Sequence, residues 1–519
     1  MATVGAPALQ APVPSVLRRA AGVLSEPRRA LLVAVVILSA VVGLDALSDP
    51  DVWWHMVLGN WTLAHGQIPQ TDMLSYTVNG VPLAPHEWFS GVLFAGLNNA
   101  GGLFLLALVM GAVSWIGLIA VAVHGRIRGA GPVTIAIGLA LGAKAAQPVL
   151  GIRPQVFTFA FLAITLLLTE VHLRKGGRAI WALPPLYMLW ANLHGGFVAG
   201  IAFMGLAAGV AVVGWYLRLP NHVPLGRPVS LGIVAIGCAL FACVNPQGLA
   251  SYRFALSEAT SEGSKGIIEW QPPSFADPGL WSLLALVIAF VALGAYALRR
   301  RRLAARDAIL GVVACGSALL AVRNTAVAVA VVTPMIMGWA ADALKARPPR
   351  LIKPRPLTAG AVLAGGLIVT LAAGGLGLAV SRLQASAAPS GVAAVYPACA
   401  TSVLERAPTT QLVFTAYANG GYVAYRLWPH GYVYIYGASD AFTKADFLDY
   451  YRIASGATTS PTAVQLLESS GTTAVLYPTG ALTRELARAP GWTRVLTDHG
   501  TVLLLRDDPS WAAGATCSP

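Results

Sequence analysis

Apolar residues in this chain gather into long runs separated by short polar or basic stretches, the pattern of helices that cross a membrane in succession. Eleven runs, at 31–48, 102–123, 132–151, 155–172, 179–194, 197–217, 229–246, 280–298, 308–322, 325–343 and 358–381, are each about long enough to cross a ~30 Å hydrocarbon core. The 179–194 run is the weakest, being short and interrupted by Pro184-Pro185, and the orientation of everything after it depends on it. No small-x-small cleavage site closely follows Leu31–Leu44, so the first run is taken as an anchor behind a Pro/Ala-rich leader, residues 1–29.

The first loop, 49–101, is too long to be a connector. Val52 to Ala64 is apolar on most faces and suits a helix lying in the interface; Gly66 ends it, and Ile68-Pro69 forces extended chain. Pro85 then precedes a second such helix, His86 to Asn98. After the last run, residues 382–519 mix apolar and charged positions as a soluble domain does. Gln411–Phe414, Tyr432–Tyr436, Thr472–Leu476 and Thr501–Leu505 read as strands, with helices near 441–453, 461–469 and 481–489. Asn419-Gly420-Gly421-Tyr422 reads as a turn or helix start, since it has no phosphate-loop spacing. The fold expected is an α-helical polytopic membrane protein of about 11 transmembrane helices, residues 30–381, followed by a small α/β domain.

Composition agrees: 56% hydrophobic and 11% charged residues describe a membrane protein. A net charge of +13 would suggest nucleic acid, but Lys and Arg are spread over the short loops with no basic stripe. With the N-terminus inside, twenty-one of them fall on inner segments and four (Arg153, Arg253, Lys265, Arg323) on outer loops. That contrast sets the orientation: N-terminus cytoplasmic, C-terminal domain outside the plasma membrane.

The polar residues worth explaining then lie at outer span ends. Asp49-Pro50-Asp51-Val52-Trp53-Trp54-His55 packs two carboxylates, two indoles and an imidazole just past the first span. Asp51 and His55, four apart, share a helix face, which raises a divalent metal; without a His-Glu-x-x-His or Cys-pair motif, no cofactor is expected. Asn192 and His194, beside Gly195-Gly196, read equally as a structural hydrogen-bond network and as substrate contacts. Glu269-Trp270 could meet a sugar, the indole as a stacking face, or mark the interface. Cys399 and Cys517 bracket the outer domain, where a disulfide is chemically permitted.

Asp51, the aromatic helix, His65-Gly66-Gln67-Ile68-Pro69, Tyr76–Pro82 and Pro85-His86-Glu87-Trp88 together resemble the N-terminal region of GT-C-fold glycosyltransferases, in their aminoarabinose-transferase and protein-mannosyltransferase branches. Asp-x-Trp-Trp-His, Arg153-Pro154-Gln155, Trp190–Gly195 and Asn245-Pro246-x-Gly248 are similar to a group of uncharacterised bacterial multi-pass proteins assigned to that superfamily. The resemblance covers roughly residues 30–345. It implies transfer of a sugar from a polyprenyl-phosphate donor to an envelope glycan, lipid or protein on the outer face, with inversion.

Asp51 matches the family's acidic position after the first span and is the candidate base, its bland reading being a helix N-cap; Asp49 and Glu87 are the other catalytic carboxylates. His86 stands about where one branch carries a phosphate-binding Lys, so a charged imidazole or another cation must serve. Arg153 and Arg323 at span ends and Lys144, well inside the third predicted span, are the alternatives for donor phosphate, against snorkelling for the arginines and an internal partner or a shifted span for Lys144. Trp54, His55, Asn192, His194, Glu269 and Trp270 complete the substrate site. Two other classes stand beside the transferase. A noncatalytic envelope scaffold or carbohydrate-binding protein would make Asp51 dispensable, and a transporter would need midplane charges and inverted repeats.

Overall fold

The computed structural model describes residues 15–45, 47, 49–219, 222–258, 268–345, 358–507 and 509–517. The first fourteen residues of the predicted leader, Lys265, and Arg347, Arg350, Lys353 and Arg355 lie outside them. A helix falls in each of the eleven apolar runs. After α1 (Ser15–Leu24) these are α2 (Pro27–Ser39) and, following the α3 helix (Asp51–His65), α4 (Trp88–Ile127), α5 (Pro132–Ala146), α6 (Gln155–Lys175), α7 (Leu183–Leu193), α8 (Phe197–Tyr216) and α9 (Gly226–Phe241). A short α10 (Ala250–Glu258) precedes α11 (Trp281–Arg299), α12 (Ala305–Leu320), α13 (Thr325–Lys345) and α14 (Ala359–Ala387). Seven helical segments among the described residues are long and apolar enough to cross a membrane. The helices α2, α7, α9 and α12 hold 13, 11, 16 and 16 residues. At 1.5 Å per residue, eleven cover only ~16 Å, and a 3-10 turn at Ala179–Ala182 leads into α7.

Two glycines divide α4. Gly101 (φ −160°, ψ 24°) and Gly102 (φ 67°, ψ −174°) leave helical geometry, and the second conformation is open to glycine. The segment before the break is the second expected interfacial helix, and the segment after it the second predicted span. It crosses α3 at backbone contact: a Cβ on Gly59 would lie 2.0 Å from the Gly91 carbonyl oxygen.

The C-terminal residues form α15 (Ala398–Leu404), β1 (Gln411–Thr415), α16 (Tyr417–Leu427), β2 (Gly431–Val433), α17 (Lys444–Ala454), α18 (Ala463–Ser469), β3 (Ala474–Pro478), α19 (Ala481–Leu486), β4 (Trp492–Asp498) and β5 (Thr501–Arg506). The sheet order is β2-β1-β3-β5-β4, parallel through β2, β1 and β3 and antiparallel beyond. β4 was not anticipated, and its alternation is weak because Thr493 and Arg494 are both exposed. Asn419 to Tyr422 lie in the first turns of α16, the helix-start alternative. Cys399 and Cys517 are disulfide-bonded, with Cα atoms 5.8 Å apart.

This domain is seated on the helices by aromatic packing and by a sheet edge. Trp53 of α3 meets Tyr396, Tyr422 and Tyr425 at 5.4, 5.0 and 5.2 Å between centroids. The first loop covers the edge at β2: Tyr76 N–H donates to Val433 O (3.0 Å) and Val433 N–H to Leu74 O (3.0 Å). Tyr436 hydroxyl donates to the buried Asp72 carboxylate (2.6 Å), which also accepts from Ser75. At the other end of the bundle, Arg128 after α4 pairs with Glu170 of α6 (3.2 Å) and with Asp307 of α12, and Arg306 and Arg174 also reach Glu170.

Candidate active site

Where the domain meets the helices, the predicted carboxylates divide into two groups. Asp49 is buried. Its Oδ1 accepts the Asp51 N–H (2.9 Å) that opens α3, and its Oδ2 accepts from Arg153 (2.7 Å). The Arg153 Nη2, which is also 2.7 Å from Asp49 Oδ2, donates to Glu269 (2.6 Å). Arg153 is therefore clamped between carboxylates of two loops, so Arg153 and Glu269, expected at donor phosphate and sugar, pair with each other. Trp270 lies beneath the Arg323 guanidinium at 3.9 Å. The loop around 269–270 is thus pinned by two arginines. Lys144 lies in the last turn of α5, its ammonium exposed and donating to Gln147 (2.7 Å), within an apolar segment that a 3-10 turn carries on to Val149.

Asp51 is the first residue of α3, and its carboxyl lies directly over Gly437 of the C-terminal domain. A Cβ there would stand 1.7 Å from Asp51 Oδ1 and 2.7 Å from the Trp54 indole nitrogen, so glycine is required. Burial and the neighbouring Asp49 carboxylate push Asp51 up to about 8, against the opposing pull of the Trp54 N–H and Arg153. A carboxyl so placed is a far better proton acceptor than one in water.

Glu87, just ahead of α4, is ringed by imidazoles. His55 Nε2 and His86 Nε2 approach its Oε2 at 3.1 and 3.9 Å, and His194 Nε2 approaches Oε1 at 3.5 Å. Burial works to raise Glu87, but His86, His55 and His194 outweigh it and hold the carboxyl down at about 2. A carboxyl held down in this way is suited to orienting the histidines around it. His86 stacks on Phe254 (4.1 Å), and its Nδ1 reaches Ala84 O at 3.0 Å. His55 stacks on Trp54 at 3.7 Å.

These groups form the polar end of a cleft of about 420 Å³. Trp54, His55, His86, Glu87 and Asp440 line that end, and Leu58, Ile68, Pro69 and Leu83 line the apolar one. Asp51 lies behind Trp54 and is not in the lining. Asp440, which the sequence reading missed, comes from the C-terminal domain; its Oδ2 accepts the Ala84 N–H (3.3 Å), and burial raises its pKa. The signal available for it was an acid closing Gly437-Ala438-Ser439-Asp440 directly after a predicted strand. Asn192 accepts from the Trp88 indole (2.9 Å) and donates to Met188 O and Val244 O (both 2.8 Å), the structural alternative. Among the described residues, one set of His, Cys, Asp or Glu has ligand atoms all within 4.8 Å: Cys399, Asp498 and Cys517, whose sulfurs are bonded to each other. The Glu87 quartet does not have the spacing of a metal site.

No protein-family model matches the chain, and no curated protein matches it. Among solved structures it is similar to the archaeal oligosaccharyltransferase AglB from Archaeoglobus fulgidus in complex with an inhibitory peptide and a dolichol-phosphate. Identity is 12% over 92% of this chain and 74% of that one, with a TM-score of 0.57. The Archaeoglobus fulgidus oligosaccharyltransferase in the apo form and tethered with an acceptor peptide containing the NVT sequon give TM-scores of 0.52 and 0.51, at 12% and 13% identity and the same coverage. At such identity the likeness is one of fold, the GT-C membrane fold.

Proposed function

We propose that this chain is a membrane glycosyltransferase that moves a sugar from a polyprenyl-phosphate donor to an acceptor of the cell envelope, with inversion at the anomeric carbon. In this reading eleven helices cross the plasma membrane, the N-terminus is cytoplasmic and the cleft opens on the outer face. Support comes from the fold, whose counterpart in Archaeoglobus fulgidus was solved with a dolichol-phosphate, a lipid of the proposed donor class. The observation that carries the reading is Asp51, a carboxyl raised to about 8 at the head of an interfacial helix.

Asp51 takes the proton from the acceptor hydroxyl as its oxygen attacks the anomeric carbon. The bond from that carbon to the donor phosphate breaks, and the electron pair leaves on the phosphate. His86 meets the departing phosphate. Its ring is held in place for that contact by Ala84 O at Nδ1 (3.0 Å), by Phe254 stacked on its face, and by Glu87 3.9 Å from Nε2. No resident metal takes part in this scheme, and Arg153 is the cation shared by Asp49 and Glu269.

One observation favours the noncatalytic alternative, an envelope scaffold or carbohydrate-binding protein: Gly437 covers Asp51. The experiment that separates the two is transfer of labelled sugar from a panel of polyprenyl-phosphate donors by full-length protein in lipid, against Asp51→Asn at matched folding. Loss in the variant supports the enzyme and the base together. Equal transfer removes Asp51 as base, and no transfer by wild type onto native envelope lipids, glycans or proteins leaves the scaffold.

A further inference from the structure

Behind the cleft a line of polar contacts runs inward from Glu87 to the interior of the helical bundle. Trp190 of α7 donates its indole N–H to Thr158 Oγ1 of α6 (2.9 Å), and Thr158 Oγ1 lies 2.7 Å from His194 Nδ1. The Gly196 backbone N–H donates to that same Nδ1 (2.9 Å). A backbone N–H can only donate, so His194 Nδ1 is the acceptor nitrogen and its proton sits on Nε2. Nε2 faces Glu87 Oε1 at 3.5 Å. Thr158, having accepted from Trp190, has its own hydroxyl proton free for Nδ1. Every donor in the line therefore points one way, Trp190 to Thr158 to His194 to Glu87.

The packing is built for this contact. Thr158, Trp190 and His194 are all buried, and a Cβ on Gly196 would lie 2.2 Å from Thr158 Oγ1 and 2.9 Å from His194 Nδ1. Only glycine there lets the hydroxyl and the ring meet. By holding one tautomer of His194, the line commits Glu87 Oε1 inward and leaves Oε2 for His55 and His86, the two imidazoles that line the cleft.

We propose that Thr158 is a positioning residue for the transfer reaction: the Gly196 N–H sets the Nε2–H tautomer of His194, and the Thr158 hydroxyl anchors that ring and so fixes the Glu87 carboxylate that orients the cleft histidines. The catalytic part of this inference rests on the proposed transferase, and the tautomer part does not. In full-length ¹⁵N-histidine-labelled protein in lipid nanodiscs, with His194 identified by the signal lost in His194→Gln, wild type shows a bare Nδ1 and a protonated Nε2. Thr158→Val, which keeps the shape and removes the hydroxyl, shifts the Nδ1 resonance while the Gly196 N–H keeps Nδ1 an acceptor, and Thr158→Ser restores the resonance. Sugar transfer falls about five- to tenfold in Thr158→Val, the net worth of one hydrogen bond, and returns in Thr158→Ser. A protonated Nδ1 in wild type, or a His194 signal identical in Thr158→Val, overturns the assignment. So does equal loss of transfer in the valine and serine variants. Absence of transfer in wild type with the Nδ1 response intact refutes the transferase and the catalytic role, and leaves the tautomer assignment standing.

Discussion

Replacing Asp51 by Asn tests the strongest claim made for this site, because it changes a titration and a reaction at once. The carboxyl is moved from 3.8 to about 8, chiefly by burial and then by Asp49. Each unit is worth about 1.4 kcal/mol, so ionising Asp51 costs the folded protein on the order of 5 kcal/mol relative to the unfolded chain. The sign follows from proton counting. Between about pH 4 and 8 the folded state keeps a proton that the unfolded state has released, so wild-type stability falls as pH rises, and the loss is complete once pH passes 8. Asparagine has the same shape and no proton to lose. Thermal unfolding in nanodiscs from pH 4.5 to 9 should therefore show Asp51→Asn gaining on wild type by several degrees toward the alkaline end. Sugar transfer should meanwhile drop by about 10²- to 10⁴-fold, the usual worth of a general base. In wild type kcat/KM should rise with pH toward 8. Unfolding curves that stay parallel across the range would refute the raised pKa, and transfer kept within twofold would refute the base.

Three further substitutions probe the surroundings. Gly437→Ala puts a methyl 1.7 Å from Asp51 Oδ1; we expect transfer to fall at least tenfold while the overpacking costs about 1–3 kcal/mol in a denaturation series. Arg153→Ala leaves Asp49 and Glu269 facing each other without a cation, at a cost of about 3–5 kcal/mol. Millimolar Mn²⁺ should restore part of the lost melting temperature in that variant and not in wild type, whose transfer should be indifferent to a chelator. Arg128→Ala strands Glu170 and Asp307 at the far end of the bundle and should cost a similar ~3–5 kcal/mol, whereas Arg302→Ala, which removes an exposed partner of Asp342, should cost under about 1 kcal/mol by the same melting assay.

The course of the chain was legible because its causes are local. Apolar runs give helices, Gly66 and Pro69 end the first interfacial helix where expected, and the Gly101-Gly102 break falls at the start of the second predicted span. Pro148 is an equally local sign: α5 stops at Ala146 and a 3-10 turn carries the segment holding Lys144 on to Val149. Pairing was not legible, because partners are set by tertiary approach. Arg153 meets Asp49 across 104 positions and Glu269 across 116, and Arg128 meets Asp307 across 179. The cost of a lone buried charge requires that each have a partner, but it does not name the partner.

That difference bears on mechanism. In the proposed reaction, with Arg153 held by two carboxylates, Lys144 donating to Gln147 and Arg323 stacked on Trp270, the contact to the departing phosphate is assigned to His86, which lines the cleft. Arginine carries a fixed charge and donates in the same direction. Substituting His86 by Arg should therefore retain transfer and His86→Ala should lose it by at least about tenfold, while the acid limb, which belongs to Asp51, stays in place in both variants.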